Sequence, residues 1–193
     1  MDEQPMISFR VDDQVTLRGF KSDDAEAVFE AVSENFGHLN PFMVWIRPDY
    51  SPAMAKEFID RSILEAGEKK SLGFGIFRVE KFIGSIGFST FDWEARTTEI
   101  GYWIDKHEQG KGIISAACRL LINYAFDELG LNRIQIRCAA ENLASAAIPE
   151  KFGFLKEGVL RQSQFRNGNL HDFLVYGLLA SEWRASDSRH QKL

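Results

Sequence analysis

The sequence predicts an α+β fold built on a central, mostly antiparallel sheet, and three observations carry that expectation. The segments LGFGIFRV, FIGSIGFSTF and TTEIGYWI follow one another between Leu72 and Ile104, separated only by turns at Glu80-Lys81 and around Asp92 to Arg96, which is the pattern of an antiparallel meander. A long amphipathic segment from Ile113 to Glu128 comes almost directly out of the third of them. The chain of 193 residues is 45% hydrophobic and 26% charged, enough apolar surface for one sizeable core. Residues 1–193 are therefore read as a single domain, its core at about 15–183 between polar ends.

The elements follow in order. Residues up to about Gln14 are polar and read as frayed, and Val15 to Gly19 alternates as a first strand. Ser22 reads as a helix cap, with Asp23, Asp24 and Glu26 at the positive end of the dipole and Ala25, Val28, Phe29 and Val32 at helical spacing. Asn40-Pro41 breaks that helix, and Phe42 to Ile46 form an apolar loop with little polar cover. A second helix runs from Ser51-Pro52 to about Gly67, with Met54, Phe58, Ile63 and Leu64 on one side. After the meander, the helix Ile113 to Glu128 turns Ile114, Ala117, Cys118, Leu121, Ala125 and Leu129 inward and ends at Gly130. Arg133 to Ala139 alternates strictly, with Ile134, Ile136 and Cys138 on one face. A short helix from about Ala144 to Phe152 leads into a strand from Phe154 to Gln164, which a turn at Asn167-Gly168 pairs with Leu170 to Leu179. That makes about seven strands, and the tail after Trp183 reads as loose.

Several function classes are disfavoured. A net charge of −5 offers no basic stripe for a nucleic-acid backbone. Cys118 and Cys138 both fall in apolar runs, which suggests reduced thiols in place of a disulfide framework. MDEQPMISFR carries acids where a signal peptide needs bases, and no apolar run has the length of a membrane span, so a cytoplasmic protein is expected. The histidines at 38, 107, 171 and 190 and the two cysteines lack metal-ligand spacing, and no G-x-S-x-G elbow is present.

The most informative segment is GYWIDKHEQGKGIISAACRLL. A chain that leaves a strand through Gln109-Gly110-Lys111-Gly112 and starts a helix at once presents unpaired N–H groups at the positive end of a helix dipole, which is a cradle for a diphosphate. The glycines permit close approach of a ligand to the backbone, and Lys111 can add a point charge. A plain glycine-rich turn into a helix is the alternative. The segment is neither a P-loop, since no Ser or Thr follows the lysine, nor a dinucleotide fingerprint, since a glycine is missing and no crossover helices precede it.

Three blocks together carry a resemblance that spans about Val15 to Trp183: EIGYWI at Glu99 to Ile104 running into HEQGKGI at His107 to Ile113, ENLASAAIPEKFGF at Glu141 to Phe154, and RNGNLHD at Arg166 to Asp172. The chain resembles the GNAT superfamily of acyl-CoA N-acyltransferases and, within it, the branch of ribosomal-protein serine or alanine N-terminal acetyltransferases. In the superfamily's pyrophosphate motif, Gln/Arg-x-x-Gly-x-Gly/Ala, His107 here takes the first place. The resemblance implies a GNAT-like fold whose sheet splays between its fourth and fifth strands, with acetyl-CoA as co-substrate and no metal. It implies that Trp103 and Ile104 bond the pantetheine arm through their backbone, that Gln109, Gly110, Lys111, Gly112 and Ile113 hold the pyrophosphate, and that Asn142 and Ser145 lie by the arm and the sulfur. An edge opened between the Glu99 and Arg133 strands would supply the backbone donors such an arm needs.

Attack of an amine on a thioester needs a neutral amine, a stabilised oxyanion and a proton for the leaving thiolate. An α-amine with a pKa near 8 is roughly a tenth neutral at pH 7, a lysine far less, so a protein N-terminus needs less help from a base. Relatives in the branch are thought to use a glutamate at the position matching Gln164, and an amide cannot act as a base. Glu99, an acid in a strand of Ile, Tyr and Trp, is the substitute, acting through water; a solvated residue near a strand end is the other reading. Ser145 matches the branch's proton donor to the sulfur, while a superfamily tyrosine with that part aligns with Pro149. Cys138 reads as a packed thiol, so no acyl-enzyme is expected. His171 and Asp172 are adjacent in a strand and cannot orient each other, and they read as binding or structural residues of the hairpin. The loop Phe42 to Trp45 reads as core, as a wall of the acceptor pocket, or as a homodimer contact. The expected reaction is acetyl transfer to a protein α-amine; a small-amine acceptor (polyamine or aminoglycoside) and a catalytically silent CoA-binding module are the alternatives. A polyamine would call for extra carboxylates in the acceptor cleft.

Overall fold

The structure, a computed structural model, describes residues 7–190. Residues 1–6, which include the acids of the N-terminal reading, and residues 191–193 of the tail lie outside the described residues. Strand β1 (Ser8–Arg10) pairs antiparallel with β2 (Val15–Gly19), and β2 with β3 (Leu72–Arg78). Strands β3, β4 (Lys81–Asp92) and β5 (Thr97–Ile104) form the expected meander. Strand β6 (Arg133–Ala139) lies parallel to β5 and antiparallel to β8 (Asn169–Leu179), which carries β7 (Leu155–Arg166) on the outer edge. The result is one mixed sheet of eight strands, one more than the sequence predicts. The additional strand is β1, in the segment read as frayed. Phe9 holds it down by edge contacts with Phe74 and Tyr124, and the Asp12 carboxylate closes the turn by accepting from the Gln14 and Val15 N–H groups.

Helices cover both faces. On one lie α1 (Ala25–Glu34), the single turn α2 (Phe36–Leu39) and α3 (Pro52–Gly67), packed on Phe77, Phe82 and Trp103. On the other lie α4 (Ile113–Asn123), α5 (Leu143–Lys151) and α6 (Ala180–His190). There Ala117, Cys118 and Leu121 bury against Ile100, Ile134 and Ile136. Helix α4 continues as one π-helical stretch, Tyr124–Glu128, and Gly130 at φ +64° ends it as expected.

Three local readings are corrected. Ser22 does not cap α1: residues 22–24 form a 3-10 turn, and the Asp24 carboxylate accepts the Lys21 N–H while taking both ends of the Arg18 guanidinium at 2.7 Å. The buried face of α3 is Ala55 and Ile59, whereas Ile63 and Leu64 are exposed, because the stripe that joins Val28, Ala31 and Val32 of α1 in one core cluster is the one carrying Ala55 and Ile59. The tail after Trp183 does not fray at once; α6 continues to His190, anchored by the Trp183 indole N–H donating to Asn123 Oδ1 at 2.8 Å.

One feature of the sheet positions the site. Strands β5 and β6 pair only at Thr97↔Arg133, Thr98↔Ile134 and Glu99↔Gln135 and then part, so Ile100–Ile104 and Ile136–Ala139 face an open gap. This is the expected splay between the fourth and fifth strands of the sequence reading.

Candidate active site

Two clefts enter that gap from opposite ends. The larger, about 720 Å³, runs from the N-terminus of α4 to α5, and the smaller, about 390 Å³, opens between α3 and the sheet. They share Phe42, Met43, Tyr102, Trp103, Asn142 and Ser145, so whatever enters from the two sides meets there.

The larger cleft fits a diphosphate at its α4 end. Gly110 and Gly112 adopt φ +73° and +79°, and a Cβ on either would touch nothing within 4 Å, so the space over the loop is open to a ligand. Gly112 precedes the helix, and the first intrahelical bond is from Ala116 N–H to the Gly112 carbonyl, which leaves the N–H groups of Ile113, Ile114 and Ser115 without an acceptor in the helix. All five residues Gln109 to Ile113 stand at this end; Gln109, Gly110, Gly112 and Ile113 line the cleft, while the Lys111 ammonium pairs with Glu108 at 3.2 Å. Lys151 is a cation on the wall that sequence reasoning did not single out.

The approach to the loop is fixed by buried Asn35. Its amide N–H groups donate to Ala31 O and to Asp105 Oδ2, and its carbonyl accepts the Lys106 N–H at 2.9 Å. Burial alone would raise the Asp105 carboxyl, but bonds from the His107 N–H and Asn35 hold it below its ordinary value. His38 faces the Gln109 amide at 2.8 Å, and burial lowers its pKa. Trp103 and Ile104 pair with Ser85 and Gly84 on one edge and present the other to the gap. Gly84 is required there, since a Cβ would collide with the Trp103 carbonyl.

At the junction, the Tyr102 hydroxyl donates to the Ser145 carbonyl at 2.9 Å and the Ser145 hydroxyl donates to Tyr102 Oη at 3.3 Å. The Asn142 side chain caps α5 by accepting the Ser145 N–H at 3.0 Å, which fixes Ser145 in the first turn. Burial pushes the Tyr102 phenol far above its usual range, so it stays a neutral donor. Sequence reasoning missed Tyr102. Its one signal is a polar hydroxyl on the face that Ile100 and Ile104 bury. Cys138 lines the smaller cleft, and burial pushes its thiol up to about 11, the state of a packed thiol.

Glu99 lies on the sheet face toward α3 but lines neither cleft. Its Oε2 accepts from Arg137 Nε at 2.8 Å and from Gln135 at 3.3 Å, and Arg137 stands between it and the smaller cleft. Gln164 also lines neither cleft; its carbonyl accepts from buried Arg166, whose other arm donates to Glu141. His171 reaches Glu141 at 2.6 Å, tying β8 to the segment before α5, and the Asp172 carboxylate accepts the Gln162 N–H, tying β8 to β7. Among the described residues no group of three or more His, Cys, Asp or Glu side chains is arranged to hold a metal, and no helix is long and apolar enough to cross a membrane.

Comparison with known proteins identifies the family. The acetyltransferase (GNAT) domain family matches residues 14–155. The chain is 36% identical over 187 residues to the putative ribosomal N-acetyltransferase YdaF of Bacillus subtilis (strain 168), across 92% of this chain and 98% of that one. It is 27% identical over 169 residues to the ribosomal-protein-serine acetyltransferase of Escherichia coli (strain K12), across 88% and 94%. Among solved structures, the microcin C7 self-immunity acetyltransferase MccE, in complex with acetyl-CoA and AMP, superposes with a TM-score of 0.82 at 29% identity, across 88% and 94%. A splayed mixed sheet, an open glycine loop at a helix N-terminus and these relatives lead to one assignment: the chain belongs to the GNAT family and is an acetyl-CoA-dependent N-acetyltransferase.

Proposed function

We propose that this enzyme acetylates the α-amine of a protein N-terminus, of the ribosomal-protein kind, by direct attack in a ternary complex. The carrying observation is the meeting of two separate clefts at Tyr102 and Ser145, which lets donor and acceptor be bound together. The charged walls of the smaller cleft are Arg61, Arg137 and Glu65, two guanidiniums to one carboxylate, which is the wrong balance for a polyamine. The ribosomal-protein-serine acetyltransferase relative supports a protein acceptor.

Acetyl-CoA lies with its pyrophosphate on Gln109 to Ile113, its arm along Trp103 and Ile104, and its sulfur by Asn142 and Ser145. The amine nitrogen forms the new bond to the acetyl carbon as the carbon–sulfur bond breaks. The thiolate takes its proton from the Ser145 hydroxyl, held in place by its bond to Tyr102 Oη, and Ser145 recovers a proton from water, which balances the one the amine gives up. The proton lost by the amine leaves through water toward Glu99, whose Oε1 is the oxygen not engaged by Arg137 and Gln135. Tyr102, Ser145 and Asn142 belong to the wall that orients the reactants, and orientation supplies much of the rate in such a transfer.

The test is thiol release from acetyl-CoA with three acceptor sets: peptides with free Ser or Ala N-termini, N-blocked peptides with lysines, and polyamines. Release confined to the first set is expected; release with polyamines alone would overturn the reading, and silence in all three with acetyl-CoA still bound would favour a binding module.

A further inference from the structure

We infer that Arg166 is a positioning residue for the transfer: the tip of the β7–β8 hairpin braces the two walls that meet at Ser145, and Arg166 is the tie between them. The inference rests on the placement of the reaction at Tyr102 and Ser145 given above. Four of the residues shared by the two clefts come from two separate segments, Phe42 and Met43 from the apolar loop, and Asn142 and Ser145 from the cap and first turn of α5. The hairpin tip reaches both. Toward α5, Arg166 Nη2 donates to Glu141 Oε1 at 2.7 Å, and Glu141 stands directly before Asn142, the cap that fixes Ser145. His171 meets the same oxygen at 2.6 Å and turns its other ring nitrogen to the Arg166 carbonyl at 3.3 Å, so the carboxylate is gripped from both strands of the hairpin. Toward the loop, the Arg166 guanidinium carbon lies 6.0 Å from the centre of the Phe42 ring, and the Asn167 amide donates to Asn40 Oδ1 at 3.0 Å. Asn40 in turn donates to the Ile46 carbonyl at 2.7 Å, which closes the loop on itself.

Stability alone does not explain this guanidinium. Arg166 is 4% exposed, its Nη1 donates to the Gln164 carbonyl at 2.9 Å, and its Nε has no hydrogen-bond partner among the described residues. A buried guanidinium with an unused donor loses hydration that its contacts do not fully replace, and an apolar side chain of like volume would pack there with a smaller penalty. An apolar side chain would not hold a carboxylate and an aromatic ring at a fixed separation. Arg166 therefore sets the width of the junction. A shift of Glu141 carries Asn142 and Ser145 with it, and a shift of Phe42 opens the opposite wall. A misplacement of about 1 Å is enough to slow a transfer that depends on orientation. The glycine loop before α4 shares none of these contacts, so the hold on the pyrophosphate stays outside the reach of the brace.

Thiol release is followed in the full chain for Arg166→Met, Glu141→Gln, their double variant and Asn167→Gly, with the amine that the parent acetylates fastest. Arg166→Met is expected to lower kcat about thirtyfold while the acetyl-CoA Kd stays within about threefold. The double variant should lose no more than about threefold beyond Arg166→Met, because both substitutions break the same tie. Asn167→Gly keeps the φ of +50° that the turn needs but removes the amide, and should lower kcat about threefold; with Glu141→Gln it carries the test if Arg166→Met does not fold. A residue that only holds the fold would lower Tm and leave kcat per folded molecule unchanged. That result, or losses in kcat that multiply in the double variant, overturns the inference. Ser145→Ala is measured alongside. If it leaves kcat untouched, or if no amine releases thiol from the parent, the placement of the reaction fails and the brace with it; a slow Ser145→Ala beside a full-speed Arg166→Met overturns the brace alone.

Discussion

Replacing Gly110 by aspartate separates cofactor binding from folding. Gly110 sits at φ +73° with no atom within 4 Å of an added Cβ, so the folded chain loses only the backbone strain of a left-handed residue, about 1 kcal/mol. For a chain of this size that lowers Tm by about 2–4 °C. The bound pyrophosphate would meet a carboxylate in the space now open. At an effective dielectric near 20, two unit charges about 6 Å apart repel by about 3 kcal/mol, and halving this for an open, salt-screened loop leaves about 1.5 kcal/mol per phosphate charge. Two such charges cost about 3 kcal/mol, a rise in the acetyl-CoA Kd of somewhat more than a hundredfold. Calorimetric titration of parent, Gly110→Asp and Gly110→Asn reads this directly. The asparagine variant has the same shape without the charge and is expected to lose less than about tenfold, and added salt should narrow the gap between the two. A Kd for Gly110→Asp within about threefold of the parent would refute the placement of the pyrophosphate.

Further outcomes follow from other contacts. Ser145→Ala and Tyr102→Phe are each expected to lower kcat about a hundredfold while leaving the acetyl-CoA Kd within about threefold, as pre-steady-state and binding measurements together would show. Glu99→Gln should depress kcat/KM most at low pH; an unmoved pH profile would mean that water alone takes the proton. Asn35→Ala strands the Lys106 N–H and weakens the hold on Asp105, at a cost of about 2–4 kcal/mol by urea unfolding, and it should loosen acetyl-CoA binding as well. For Asp24, burial would raise the carboxyl, but Arg18 and the Lys21 N–H hold it below its ordinary value of 3.8. Its contribution is thus complete above that value and disappears as pH falls through the lower folded value. Asp24→Asn should destabilise by about 1–3 kcal/mol at neutral pH, with the difference shrinking on acidification below pH 3.8.

The parts of this protein that depend on neighbouring residues are legible in its sequence. The meander, the strictly alternating strand at Arg133 to Ala139, the turn at Asn167-Gly168 and the glycine loop entering α4 each depend on residues a few positions apart, and a diphosphate cradle made of backbone needs only the loop and the helix that follows. Strand β1 is not legible there, because three residues with one apolar side chain become a strand only where β2 offers an edge and Phe74 and Tyr124 offer a pocket. The inward face of α3 escapes the sequence for a related reason: the stripe that buries carries Ala55 and Ile59 and leaves the larger Ile63 and Leu64 exposed, and which face is buried depends on the partner elements.

The side-chain constellations belong to tertiary structure alone. Tyr102 and Ser145 are 43 positions apart, and Asn35 and Asp105 are 70 apart. Nothing in the intervening sequence encodes which polar group will bury opposite which. The same holds for Glu99, an acid out of character in its strand, whose partner Arg137 becomes visible only when β5 and β6 are laid side by side. Sequence determined the chemistry of the cofactor side, since backbone donors at a helix terminus are fixed by local conformation. Only the fold decided the acceptor side, since its walls come from α3, the apolar loop and two diverging strands that burial of the core brings together.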